Sequence, residues 1–298
     1  MTFDELINNG WARHDTQSAA LAADLEEHQA LAATPQNAVA LLGLANHTIG
    51  YHMKDWPRAH ALCERVVARF APEAALSPIF GSLAIAQFMC GDQAAALASE
   101  CRAVELNAEE PLSAMVRTRV LIASELADAG RLGEAMPLYT ATLNLARSRK
   151  EKLGCDRAIA ITSNNLAGNL LEKKGRTPVE DDLMLSAAEA SREFWMKIGT
   201  WENEERGEYL LALAKNALGR PAEGLKHALR GLEVIAAGGG GEKVDQAFLN
   251  LAAARSHKLL GDAALHTAAL ARADGLAAGF EKQGLKNWFV EERAKVVA

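Results

Sequence analysis

The sequence is poor in what a β-sheet protein needs. Aromatic residues are only 5% of its 298 positions, and β-branched runs bounded by evenly spaced turn signals do not occur, which excludes an all-β chain. No apolar stretch approaches the roughly 20 residues that would cross a bilayer. The opening, MTFDELINNGW, lacks the basic region and apolar run of a secretory signal, so a cytoplasmic location is expected. Four cysteines, Cys63, Cys90, Cys101 and Cys155, stand far apart without a CxxC pair. They read as reduced thiols filling small apolar spaces, neither a disulfide framework nor a zinc site.

Catalytic signatures are missing as well. No GxSxG occurs, and no cysteine sits in a recognisable nucleophile context. The run AAGGGGEKV at 236 lacks the GK[ST] ending of a phosphate loop and reads as a linker between helices. Five of the eight histidines (His14, His28, His47, His52, His60) fall in the first 60 residues, yet no HExxH and no i,i+4 pair is among them. On an ideal α-helix His47 and His52 point about 140° apart. The expectation is therefore packed or surface histidines, with no catalytic residue, metal or cofactor. A metal-dependent enzyme using His14, His47 or His52 is the remote alternative. A net charge of −6 and a pI near 5.8 argue against a nucleic-acid binder, which needs a basic surface.

What is abundant is Ala and Leu in amphipathic, helix-period stretches. Six similar segments punctuate them: KDWPRA at 54, CGDQAAA at 90, AGRLGEA at 129, KGRTPVE at 174, LGRPAEG at 218 and LGDAALH at 260. Taking Lys54, Gly91, Gly130, Gly175, Gly219 and Gly261 as the turn residues, the steps are 37, 39, 45, 44 and 42 residues. Periods of this size mean stacked helical hairpins, each turn closing on a left-handed residue. Small residues early in the second helices, Ala59, Ala96, Ala135 and Gly224, fit a close helix–helix approach. An all-α solenoid of antiparallel hairpins is expected. A worn hairpin occupies 1–36, six helix pairs 37–283, and a helix over 284–298, with Leu285, Trp288, Phe289 and Glu292 at helical spacing, caps the end. Oligomerisation is the rival role for that last helix.

The GD(Y/W)xxA-like core in KDWPRA and GDQAAA resembles the tetratricopeptide repeat family. The later units, with NNLAGNLLEKKGR, look like the extended repeat of about 42 residues of kinesin light chains and bacterial peptide-sensing regulators. The resemblance covers residues 37–283. Lys54 in place of the turn glycine and bulky His266 in place of a small residue depart from it.

That resemblance implies a right-handed superhelix whose first helices line a concave groove, with groove asparagines holding a ligand's backbone. In the helix expected over 158–174, Leu166, Ala167, Leu170 and Leu171 form an apolar face, and Thr162, Asn165, Asn169, Glu172 and Lys173 the opposite one. Asn165 and Asn169 are then groove candidates, while Asn164 at the border joins neighbouring repeats. The equivalent face elsewhere is apolar early, with Leu41, Leu44, Tyr51, His52, Pro78, Ile85, Phe88 and Met89, and polar and mildly basic later, with Arg117, Arg206, Tyr209, Asn216, Arg255 and Lys258. Such a division suits a protein or peptide segment with an apolar part and an acidic part or free C-terminus. The competing account covers the apolar end with residues 1–36 or a second subunit. WENEERGEY at 201 reads as the solvated start of a helix. The function expected is a non-catalytic peptide-binding scaffold without nucleic-acid or membrane partners, and a self-assembling structural subunit is the alternative.

Overall fold

The computed structural model describes residues 1–71 and 73–297, and among these every regular element is helical. Ala298, the last residue of the expected terminal helix, lies outside the described residues. The chain divides into two compact units, Met1–Cys155 and Asp156–Ala298.

The first unit holds α1 (Phe3–Arg13), α2 (Ser18–Glu27), α3 (Pro35–Ala45), a π-helical segment (Asn46–His52), α4 (Trp56–Val67), α5 (Ser77–Met89), α6 (Gln93–Leu106), α7 (Pro111–Asp128) and α8 (Leu132–Arg147). The second holds α9 (Asp156–Glu172), α10 (Pro178–Ile198), α11 (Trp201–Ala217), α12 (Pro221–Ala237), α13 (Lys243–Leu260), α14 (Ala263–Ala277) and α15 (Gln283–Val297). Consecutive helices pack in pairs: α5 with α6, α7 with α8, α9 with α10, α11 with α12, and α13 with α14. No described helix is long and apolar enough to cross a membrane.

Local chemistry sets the helix ends. Thr2 and Glu5, and again Thr177 and Glu180, form reciprocal capping boxes that satisfy otherwise orphaned amides. Asp55 and Asp92 accept from Arg58 N and Ala95 N and start the second helices of two hairpins. Every turn residue named from the sequence has positive φ: Gly91, Gly130, Gly175, Gly219 and Gly261, and also Lys54 at 56°. Lysine therefore occupies the left-handed conformation that glycine takes at the other turns.

The small residues beside the turns are buried. Ala59, Ala96 and Ala135 are each at most 3% exposed, and a Cβ on Gly224 would stand 2.6 Å from Asn216 Oδ1. In each unit one asparagine reaches the repeat that follows. Asn46 Nδ2 donates to the Ser82 carbonyl and Asn216 Nδ2 to the Ala252 carbonyl, both 36 residues on. Asn164, expected in this role, instead donates to Asn165 Oδ1 on the exposed face.

Two further corrections concern burial. Cys63 and Cys155 are buried as expected, but Cys90 and Cys101 are exposed. Within WENEERGEY, Glu205 and Glu208 are buried. The first turn of α11 is acidic, but Glu205 and Glu208, which follow it, face the interior.

At Leu41 and Leu44 the apolar early face is covered by the chain itself. Leu41 and Leu44 are fully buried, and α1 approaches α3 so closely that a Cβ on Gly10 would stand 2.5 Å from Leu44 Cδ2. In the second unit α15 packs on α13 and completes a cluster of Phe248, Phe280, Phe289 and Val296. The terminal repeat's apolar face is thereby removed from water.

Candidate binding surfaces

In the first unit α5, α7 and the segment before α9 enclose a cavity of about 150 Å³. Its walls include Pro78, Ile85, Ser113, Thr118, Leu121 and Arg117. Glu110 on its rim is already engaged, accepting from Ser113 Oγ at 2.7 Å and Gly154 N at 2.8 Å, which hold its carboxyl below the usual carboxylate range. Arg117 is half-buried and has neither a hydrogen bond nor an ion pair among the described residues. Burial alone acts on it and pulls its pKa down.

In the second unit α9, α11, α13 and α15 line a cavity of about 360 Å³. Leu171 and Glu172 come from α9, Tyr209 and Leu213 from α11, Arg255 from α13, and Trp288, Glu292 and Lys295 from α15. In this unit the first helices α9, α11 and α13 each contribute residues to the cavity. Tyr209 packs edge-on against Phe248 with ring centroids 6.3 Å apart, and burial pushes its phenol pKa up. Arg255 repeats the situation of Arg117: it is half-buried and unpartnered among the described residues. Among the described residues these are the two half-buried arginines of which this is true; the other half-buried ones bind carboxylates, as Arg58 does Glu26 and Arg119 does Glu100.

The remaining expected groove residues are placed differently. Asn216 is 3% exposed and engaged at both ends of its amide, donating to Ala252 and accepting from Ser256 Oγ at 2.8 Å, so it clamps two repeats and is buried away from a ligand. Lys258 Nζ donates to the Val296 and Val297 carbonyls and holds the end of α15. Lys173 is paired with the buried Glu180, and hydrogen bonds from Lys173 and Thr177 hold that carboxyl low. Arg206 is largely exposed, 3.6 Å from Asp245 and 3.4 Å from Glu205. Asn165 and Asn169 are exposed on α9 but do not line the cavity, to which that helix turns Gly168, Leu171 and Glu172. Thr162, assigned to the same polar face, is buried. Phe88 is half-buried beneath the Arg131 guanidinium, 5.9 Å from its ring centre. Trp288 was read only as a capping residue; its 47% exposure beside the cavity marks a second role that helical spacing alone does not reveal.

A third constellation contradicts the sequence argument directly. His47 and His52 are not on opposite sides of a helix: their rings are 4.8 Å apart and their Nε2 atoms 3.3 Å apart. The cause is the π-helical segment Asn46–His52, in which residues five apart come into register. Met53 N bonds to the Thr48 carbonyl across five residues. Trp56 lies on Gly50, where a Cβ would meet its ring at 2.5 Å. His14, at the end of α1, lies 4.9 Å from the His47 ring and 5.1 Å from that of His52. Tyr51, expected in the groove, stacks on His47 at 5.2 Å with Lys54 over its own ring. Burial and the two neighbouring rings lower the His47 pKa to about 4.

No family model and no curated protein matches the chain. Among solved structures it is matched to the apo form of the quorum sensor NprR from B. thuringiensis, at a TM-score of 0.38 and 14% identity, over 98% of this chain and 86% of that one.

Proposed function

We propose that this chain is a non-catalytic polypeptide-binding scaffold that holds a carboxylate-bearing segment of its partner against the arginines of its first-helix faces. The observation that carries this reading is the pairing of Arg255 with an open, partly aromatic cavity, repeated on a smaller scale by Arg117. A half-buried guanidinium gives up hydration, and a protein that otherwise pairs such groups leaves these two unanswered. An acidic side chain or a free C-terminus supplies the missing acceptor in bidentate geometry. Tyr209, Leu213 and Trp288 then give apolar and aromatic surface to the neighbouring residues of the ligand.

The test is an array of random decapeptides presented with free C-termini and, in parallel, as C-terminal amides, with hits quantified by fluorescence anisotropy. Wild-type protein is expected to select peptides bearing a free carboxylate or an acidic residue, and Arg255→Gln to weaken them at least tenfold without lowering the melting temperature. Arg117→Gln is measured alongside and reports on the first unit. Hits that bind both variants as tightly as wild type, or an array without saturable hits, would reject the reading.

A further inference from the structure

We infer that His14, His47 and His52 form a binding site for a divalent transition-metal ion of imidazole preference, with Zn²⁺ as its simplest occupant. Each of the three offers a ring nitrogen, and these nitrogens all lie within 4.8 Å of one another. The inference stands apart from peptide binding and rests on different residues.

The distances suit the ion. Zn–N bonds of roughly 2.0–2.1 Å in a tetrahedral site place ligand nitrogens about 3.3 Å from each other. The Nε2 atoms of His47 and His52 are already 3.3 Å apart. Without an ion, two neutral imidazoles this close share the Nε2–H of one ring; when that ring carries its proton on Nδ1 instead, both Nε2 lone pairs are free to bind one cation.

Ligand orientation is fixed from outside the cluster. His14 Nδ1 donates to the Trp11 carbonyl at 2.7 Å, which leaves the lone pair of the neutral ring on Nε2. A metal-binding histidine ordinarily has such an outer partner, because it sets the tautomer and holds the ring. The Tyr51 ring, parallel to His47 within 5°, and Trp11, 5.5 Å from it, limit its rotation.

All three rings are only half-buried, so an ion has access. Three protein nitrogens leave a fourth position for water or for a donor from a partner.

The arrangement has a specific structural origin. An ordinary α-helix over residues 46–52 would turn His47 and His52 away from each other. The π-helical segment aligns them, at the cost of poorer backbone geometry, and such segments concentrate at functional sites. Gly10 adds the third ligand by letting α1 settle against Leu44, which brings His14 to the same place.

The experiment uses the full chain with any affinity tag removed, carrying Cys90→Ser and Cys101→Ser so that exposed thiols do not compete. Zn²⁺ is titrated against a fluorescent chelator, and Co²⁺ is added to a second sample for its absorption spectrum. One equivalent should bind at pH 7.5, with the intense visible bands of a tetrahedral Co²⁺ site. His47→Gln and His14→Gln should each weaken Zn²⁺ at least a hundredfold, whereas His60→Gln, whose side chain faces Glu64, should change nothing. Circular dichroism identifies variants that fail to fold, and the His14→Gln variant at the helix end covers a failure of His47→Gln. Binding that is equally strong in folded His14→Gln, or sensitive to His60→Gln, would overturn the proposal. So would a wild-type affinity no tighter than millimolar.

Discussion

Ser256 donates its hydroxyl to Asn216 Oδ1 at 2.8 Å while the other end of that amide holds the Ala252 carbonyl, so one buried side chain joins α11 to α13. Both groups are removed from water, and the loss of either leaves its partner unsatisfied. Asn216→Ala is expected to cost about 2–3 kcal/mol and Ser256→Ala about 1 kcal/mol in urea unfolding. A double-mutant cycle should show the two losses to be less than additive, because the second removes a bond already broken. Full additivity would mean the contact contributes nothing to the junction.

The lysine in the left-handed turn gives a backbone prediction. Lys54→Gly and Lys54→Ala lose the same ammonium contact with Tyr51, but only glycine is at ease at a φ of 56°. Thermal and urea melts should rank the glycine variant above the alanine variant by about 1 kcal/mol. Equal stabilities would show that the turn relaxes out of the left-handed region.

Glu205 makes stability fall with pH. Burial, the carboxylate of Asp245 and, more weakly, that of Glu242 push its pKa up to about 8, only partly opposed by Arg206. Between the ordinary carboxylate value and about 8 the folded state keeps a proton that the unfolded state releases. Its contribution is complete below pH 4.5 and is lost as pH rises to about 8. Glu205→Gln, which stays neutral, should remove that part of the slope and stabilise the protein at pH 8 by about 1–2 kcal/mol. Urea midpoints measured from pH 5 to 9 decide this, and parallel profiles for the two proteins would count against it.

The unpartnered arginines oppose stability to binding. Arg117→Met replaces a half-buried charge without an acceptor by an apolar chain of similar length. It should leave stability unchanged or raise it by about 1 kcal/mol, while weakening any carboxylate-bearing peptide. A marked loss of stability would assign Arg117 a structural role.

The helical hairpins were legible because their signals are local. A turn needs a left-handed residue, and the positions named from the six similar segments, Lys54 included, have positive φ. A close helix approach needs a small side chain, and Ala59, Ala96, Ala135 and Gly224 provide it where helical periodicity puts them. Arg117, Tyr209 and Arg255 were legible as cavity residues for the same reason, since the first helix of a hairpin presents one face repeatedly.

What the sequence alone determined is thus the helix type, the turn positions and the side of each helix that is apolar, all governed by interactions within a few residues. Tertiary structure decided which polar residues on those faces remain available. Asn216 and Asn165 look alike in sequence, yet one is buried and donates to a carbonyl 36 residues away, whereas the other is exposed and accepts from its neighbour Asn164. His47 and His52 are the sharper case. The helical period places them on different sides, but packing of Trp56 on Gly50 accompanies a widened turn that brings them together, and a change of turn width of this kind leaves no mark in the apolar periodicity.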